Sequence, residues 1–250
     1  MSDRRVMFVS GGSRGIGAGI VVGAARAGFD VAFTYRTRGD AAAEVVQRAQ
    51  AARRGARVRA YELDVRDAAA VERVGDQVID DLEHVDVVVA NAALTKVGLA
   101  VSMSSEDFRE VVDTNLTGAF LVTRQFLSSM LAQRWGRLIY VSSVAAHGMT
   151  GDVGYCASKA GLLGLSKAMA KEYGRKGITS NALVLGFFET DMSAESMSDE
   201  NRSFYARYCP AGRAGRIHEV AEAVIYLAGD TGAFVNGQEL ALTGGLDWYQ

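Results

Sequence analysis

Apolar residues follow two alternating rhythms along this chain of 250 residues. Short and nearly continuous apolar runs, such as Val6-Met-Phe-Val-Ser10 and Asp86-Val-Val-Val-Ala90, read as strands buried on both faces. Between them lie longer stretches in which apolar positions recur every three or four residues, as helices with one inward face require. The pattern predicts strands over residues 6–10, 30–35, 57–62, 85–90, 137–142, 180–185 and 238–242. It predicts helices over residues 15–27, 41–54, 68–82, 105–133, 155–173 and 217–228. Alternation of this kind defines an α/β fold: a doubly wound parallel sheet of seven strands with helices on both faces. No repeat, low-complexity tract or linker interrupts it, so residues 1–250 form a single domain.

One stretch breaks the rhythm. Residues 193–215 are polar, carry aromatics, and hold Pro210, the single proline of the chain. They are expected to form a lid over a substrate, with Phe204, Tyr205 and Tyr208 either lining the pocket or packing the lid onto the body.

Ligands of open α/β sheets bind outside the carboxyl ends of the strands, near the reversal in strand order. The turn at 11–17, Asp64, Asn91, Ser143 and Gly186 all follow predicted strands, with Tyr155 opening the next helix. They are therefore expected on one edge, in one site. The turn reads Gly11-Gly-Ser-Arg-Gly-Ile-Gly17 and leads into a helix on which Ile16, Ile20 and Ala24 recur. Glycine there tolerates positive φ and lets backbone N–H groups approach a pyrophosphate at the positive end of the helix. The spacing is Gly-x-x-x-Gly-x-Gly, not the commoner Gly-x-Gly-x-x-Gly.

Tyr155 and Lys159, four residues apart in Gly154-Tyr-Cys-Ala-Ser-Lys-Ala-Gly161, share one face of a helix. A phenol titrates near ~10, and an adjacent fixed cation is expected to lower that value and make the phenol a usable acid. Asn115 belongs to the inward series Phe108, Val112, Asn115, Ala119, Val122, Phe126. An amide on such a face must find hydrogen-bond partners or cost about 1–3 kcal/mol.

With these motifs in order, the chain resembles the short-chain dehydrogenase/reductase family from Val6 to Leu246. The resemblance is carried by Ser10-Gly-Gly-Ser-Arg-Gly-Ile-Gly17, Leu63-Asp-Val65, Ala90-Asn-Ala-Ala93, Asn115, Ser143, Tyr155/Lys159 and Thr190. It implies a Rossmann-type fold, a nicotinamide cofactor and a catalytic set of Asn115, Ser143, Tyr155 and Lys159. In that set Asn115 holds a water that links Lys159 to solvent. Cofactor contacts are implied for Gly11, Ser13, Arg14, Gly15, Ile16, Gly17, Arg36, Asp64, Val65, Asn91, Tyr155, Lys159, Gly186 and Thr190. Val141-Ser-Ser-Val144 offers two serines: Ser142 has the family's usual separation from the tyrosine, whereas the alignment of the strand favours Ser143. The chain departs from the family where Ala90-Asn-Ala-Ala93 replaces Asn-Asn-Ala-Gly, and where Leu185-Gly186 replaces Pro-Gly.

Members that bind NAD carry an acid after the second strand to hold the ribose diol. Here that position reads Thr34-Tyr-Arg-Thr-Arg-Gly-Asp40. Arg36 and Arg38, with Arg14, suit a 2′-phosphate, so the expected cofactor is NADPH; Asp40 is expected to cap the following helix.

The 3-oxoacyl-ACP reductases are the most similar branch, through Arg137-Leu-Ile, Lys176-Gly-Ile-Thr and Asn236-Gly-Gln-Glu-Leu-Ala-Leu-Thr-Gly-Gly245. The expected reaction is reduction of a β-keto acyl thioester to its 3-hydroxy product, with an acyl carrier protein docking at Arg134 and Lys176. A stand-alone ketoreductase of a polyketide or polyene pathway and a reductase of CoA thioesters remain open. So does a non-catalytic NADPH-sensing protein, which the retained Tyr155/Lys159 pair disfavours.

Composition narrows the partners. A net charge of −2 argues against a general nucleic-acid or membrane-surface binder. The first strand begins at once, no apolar run approaches a membrane span, and a cytoplasmic location is expected. Cys156 and Cys209 form no disulfide or metal pattern. Family members are commonly homotetramers. Leu116, Phe120, Leu121, Leu127 and Leu131, outside the inward face of their helix, are expected at such an interface, as are Trp248 and Tyr249.

Overall fold

Strands β1 (Val6–Val9), β2 (Asp30–Tyr35), β3 (Val58–Glu62), β4 (Val87–Ala90), β5 (Gly136–Ser143), β6 (Ile178–Leu185) and β7 (Glu239–Leu242) lie side by side. Their order is β3-β2-β1-β4-β5-β6-β7, and every pairing is parallel. The computed structural model describes residues 4–190, 203 and 207–246. The chain winds outward from β1 to β3, then returns to place β4 on the other side of β1. The reversal in strand order therefore falls between β1 and β4.

Alternation along each strand divides the core in two. Met7, Val9, Val87, Val89, Ile139 and Val141 face one side, where Val21, Ala24, Val45 and Val224 pack against them. Those residues come from helices α1 (Gly15–Ala27), α2 (Gly39–Ala52) and α7 (Ile217–Ala228). Phe8, Val88, Ala90, Leu138 and Tyr140 face the other side against Val78, Phe126 and Leu162. There the cover is α3 (Ala68–Leu82), α5 (Gly118–Gln133) and α6 (Val153–Tyr173). Phe126 is 2% exposed, and burial of such a side chain contributes roughly 1.5–3 kcal/mol.

Two expectations about helices need correction. The helix predicted over 105–133 is interrupted: α4 (Ser105–Val112) and α5 are joined by a π-helical turn at Asp113–Thr117. The extra residue in that turn shifts the inward face. Val111 is buried before the turn, whereas Phe108 is 36% exposed and Val112 only half-buried; Asn115, Ala119, Val122 and Phe126 keep their inward positions. Leu127, expected outside, lies in the core beside Phe126. Asp40 does not cap α2 either: Arg38 occupies the N-cap, and Asp40 lies inside the first turn, where the helix dipole favours an acid.

Candidate active site

The carboxyl ends of β1, β4, β5 and β6 surround a cleft of about 500 Å3. Every cofactor-binding position expected from the sequence, from Gly11 to Thr190, lines it, together with Ser143, Tyr155 and Lys159. Asn115 does not.

The glycine turn is pinned from both sides. Gly12 N donates to Thr34 O (2.8 Å), while Asn91 Nδ2 donates to Ser10 O (3.0 Å) and Gly11 O (2.9 Å). Gly11 and Gly15 hold φ of 70° and 53°, in the left-handed region that favours glycine. At Gly17 the reason is space: a Cβ there would stand 2.1 Å from Gly11 O and 2.7 Å from Asn91 Nδ2. Gly17→Ala must move backbone, and is expected to cost about 2 kcal/mol or more. The corresponding fall in Tm is roughly 5 °C, read by calorimetry. An unchanged Tm would contradict this close packing.

No side chain caps the first turn of α1, whose N-cap is Arg14. Its leading N–H groups therefore remain available to an anion at the positive end of the helix. Arg36 and Arg38 stand exposed on the same wall, after β2. Asp64 is held in the ionised form below the usual carboxylate range, chiefly by Arg66, whose Nη2 lies 2.6 Å away. N–H donors and cations at one end, with a hydroxyl pair at the other, fit a phosphorylated dinucleotide laid across the strand ends.

At the inner end, β5 presents its two serines to opposite sides. Ser142 is buried and donates to Lys159 O (2.9 Å), so it belongs to the packing of α6. Ser143 lines the cleft, and its Oγ accepts from Ala145 N (3.2 Å). Both serines line the cleft, and the Ser143 hydroxyl is the one that acts on the Tyr155 phenol. Lys159 is 3% exposed, and its Nζ donates to Val141 O (2.7 Å), 5.3 Å from the centre of the Tyr155 ring.

Burial governs the electrostatics of this pair, against expectation. Desolvation pushes the Tyr155 phenol up to about 12, a rise that the nearby Ser143 hydroxyl opposes and Asp152 reinforces. Desolvation also brings Lys159 down from 10.5 to about 8. The lowering of Tyr155 expected from its lysine is outweighed, because an ammonium 5.3 Å from the ring and hydrogen-bonded to a carbonyl does not offset the loss of water.

Asn115 sits in the π-turn beneath the cleft, 1% exposed, and finds the partners its burial demands. Its Oδ1 accepts from Leu94 N (2.8 Å), and its Nδ2 donates to Leu94 O (2.9 Å) and Ser158 Oγ (3.0 Å). It ties the loop after β4 to the tyrosine-bearing helix. The sequence reading missed Leu94, Thr95, Met149, Asp152, Phe187 and Phe188, which complete the cleft wall. Only Asp152, three residues before Tyr155, carried a positional signal.

Of the expected lid, Phe204 and Tyr205 lie outside the described residues, as do Trp248 and Tyr249; Tyr208 is 54% exposed. Arg134 and Lys176 are exposed neighbours, since Gly177 packs directly on Arg134 O. They precede β5 and β6, at the sheet edge opposite the cleft.

The strand reversal and the cleft above it define a dinucleotide-binding α/β enzyme. Comparison with known proteins agrees. A family model described as Enoyl-(Acyl carrier protein) reductase matches residues 11–247. The 3-oxoacyl-[acyl-carrier-protein] reductase FabG of Aquifex aeolicus is 36% identical over 245 residues, 97% of each chain. The FabG of Escherichia coli is 35% identical over 98% of each chain. Among solved structures, levodione reductase superposes with a TM-score of 0.93 at 28% identity, covering 96% of both chains. A gluconate 5-dehydrogenase from Burkholderia cenocepacia, in complex with NADP and tartrate, gives 0.91 at 29% identity, covering 98% of this chain and 96% of its own. The chain belongs to the short-chain dehydrogenase/reductase family and is an oxidoreductase.

Proposed function

We propose that this protein reduces β-keto acyl thioesters, carried on an acyl carrier protein, to 3-hydroxyacyl products with NADPH. The observation that carries the reading is one continuous cleft joining the Arg14/Arg36/Arg38 end to the Ser143/Tyr155 end. The similarity to FabG enzymes supplies the substrate class.

The glycine turn and the first turn of α1 would hold the pyrophosphate, Arg36 and Arg38 the 2′-phosphate, and Asp64 and Val65 the adenine end. Gly186 and Thr190 would flank the nicotinamide, which supplies a hydride when bound. Ser143 Oγ holds the substrate carbonyl oxygen and steadies the charge that develops on it. Tyr155 Oη delivers the proton to that oxygen. Lys159, deep in the wall, favours the phenolate that remains, and Asn115 fixes the helix bearing both and keeps the water that reloads the proton. A phenol at about 12 keeps its proton until the reaction calls for it.

Loss of NADPH on mixing with a β-keto acyl-ACP, compared with acyl-CoA and free ketones, tests the reading. No consumption with any carrier-bound substrate would defeat it. Arg36→Asp replaces a phosphate-pairing cation by a diol acceptor and is expected to move preference toward NADH by about 10-fold or more. A wild-type enzyme that already prefers NADH removes the 2′-phosphate assignment.

The reading includes a homotetramer in the cytoplasm. Exposed Val97, Leu99, Val101, Phe120 and Val153 support assembly. Carrier docking at Arg134 and Lys176 depends on that assembly. The eight residues of β5, at roughly 3.3 Å each, separate this pair from the cleft of the same subunit. A carrier docked there serves the cleft of a neighbouring subunit.

A further inference from the structure

Asp152 lines the cleft with the apolar side chains Leu94, Val144, Met149, Phe187 and Phe188. The residue is buried, 8% exposed. An ionised carboxylate offers about four acceptor sites. Among the described residues this one receives a single hydrogen bond, from the Thr95 hydroxyl to Oδ1 (2.6 Å), and no cation acts on it.

The ordinary explanation for an aspartate at this position fails. Asp152 is the N-cap of α6, where an aspartate side chain normally accepts from an N–H of the first turn. Here it makes no such bond. The carboxyl is turned away from its own helix, toward Thr95 on the loop after β4, and both residues line the cleft. A buried carboxylate left with one neutral partner is costly. Burial accordingly holds its protonation above the usual carboxylate range, and its charge reaches the Tyr155 phenol three residues on.

We infer that Asp152 selects the substrate: its free carboxylate oxygen accepts a hydrogen bond from a hydroxyl on the carbon next to the ketone that Tyr155 protonates. Proximity fixes where that hydroxyl stands. Asp152 and Tyr155 stand three residues apart at the start of α6 and line the same cleft, and the phenol must touch the carbonyl oxygen, so the donor belongs beside the carbonyl. The same carboxylate repels substrates that carry an anion there. The inference rests on the reductase reading and deepens it, from β-keto thioesters to those bearing a γ-hydroxyl.

Two matched pairs of ketones separate the inference from that reading. The first is γ-hydroxyacetoacetyl against β-ketopentanoyl, both as N-acetylcysteamine thioesters, which exchange a hydroxyl for a methyl. The second is hydroxymethyl ethyl ketone against diethyl ketone, which makes the same exchange without a thioester. Wild-type enzyme with NADPH should favour the hydroxylated member in kcat/KM by about 10- to 100-fold, the value of a hydrogen bond to a charged group. Asp152→Ala should bring the ratio to roughly threefold of unity, and the near-isosteric Asp152→Asn serves if the alanine variant does not fold. Preference in the free ketones, with no turnover of thioesters, upholds the role of Asp152 and defeats the thioester reading. Turnover of thioesters without preference, or preference that survives both substitutions, overturns the role and leaves the reductase reading standing. No turnover of any of the ketones overturns both.

Discussion

Tyr155→Phe is expected to lower turnover by about 10³-fold while NADPH still binds, because the substitution removes one transferable proton and little else. The phenol lines the cleft beside Ser143, and among the described residues no hydrogen bond of its hydroxyl to a distant part of the fold would be lost. Steady-state kinetics with a β-keto thioester reads the chemical step, and fluorescence titration of NADPH reads the binding. Near-normal turnover by the phenylalanine enzyme would remove Tyr155 from its proposed role. Loss of NADPH binding in step with turnover would make it a cofactor ligand instead of an acid.

Lys159→Met should show the opposing demands of stability and chemistry. Turnover is expected to fall at least about 100-fold, since the cation beside the phenol is gone. The pH dependence of stability should change as well. Burial lowers the lysine from 10.5 in the ordinary case to about 8 in the folded chain. Below about 8 both folded and unfolded chains hold the proton, and the fold carries the full cost of a buried ammonium. Between about 8 and 10.5 the unfolded chain keeps the proton that the folded one has released, so wild-type stability rises with pH across that window. The methionine variant lacks this contribution. Urea denaturation of both proteins at about pH 7 and about pH 10 should therefore shift their difference in favour of the wild type at the higher pH. A difference that stays constant would show that the buried amine is not depressed. Comparison with the variant also cancels Cys156, whose thiol is raised chiefly by burial and which acts in both proteins.

Local chemistry made most of the architecture legible. Strands buried on both faces must be apolar throughout, and helices with one inward face must repeat every three or four residues, so Val87–Ala90 and Ala68–Leu82 were readable without any partner. The turn from Gly11 to Gly17 was equally plain, because glycine marks backbone that no other residue tolerates. Tyr155 and Lys159 were brought together by helix geometry alone. What a residue meets across the fold was not written in this way. The π-turn at Asp113–Thr117 left no mark in a periodicity that both helices obey, yet it moved Phe108 outward and put Val111 in the core. Ser142 and Ser143 were chemically equal until the fold bound one hydroxyl to the backbone of α6 and set the other beside Ala145 N. A neighbouring lysine argued for a lowered phenol, and only tertiary burial turned the balance the other way. Arg134 and Lys176 suggested docking, and the sheet set them on the far edge. Nothing in the sequence tied Asp152 to Thr95, which its carboxyl meets only in the fold. Periodicity is a property of neighbouring residues and survives in the sequence, whereas desolvation and hydrogen-bond partners depend on segments that meet only when the chain folds.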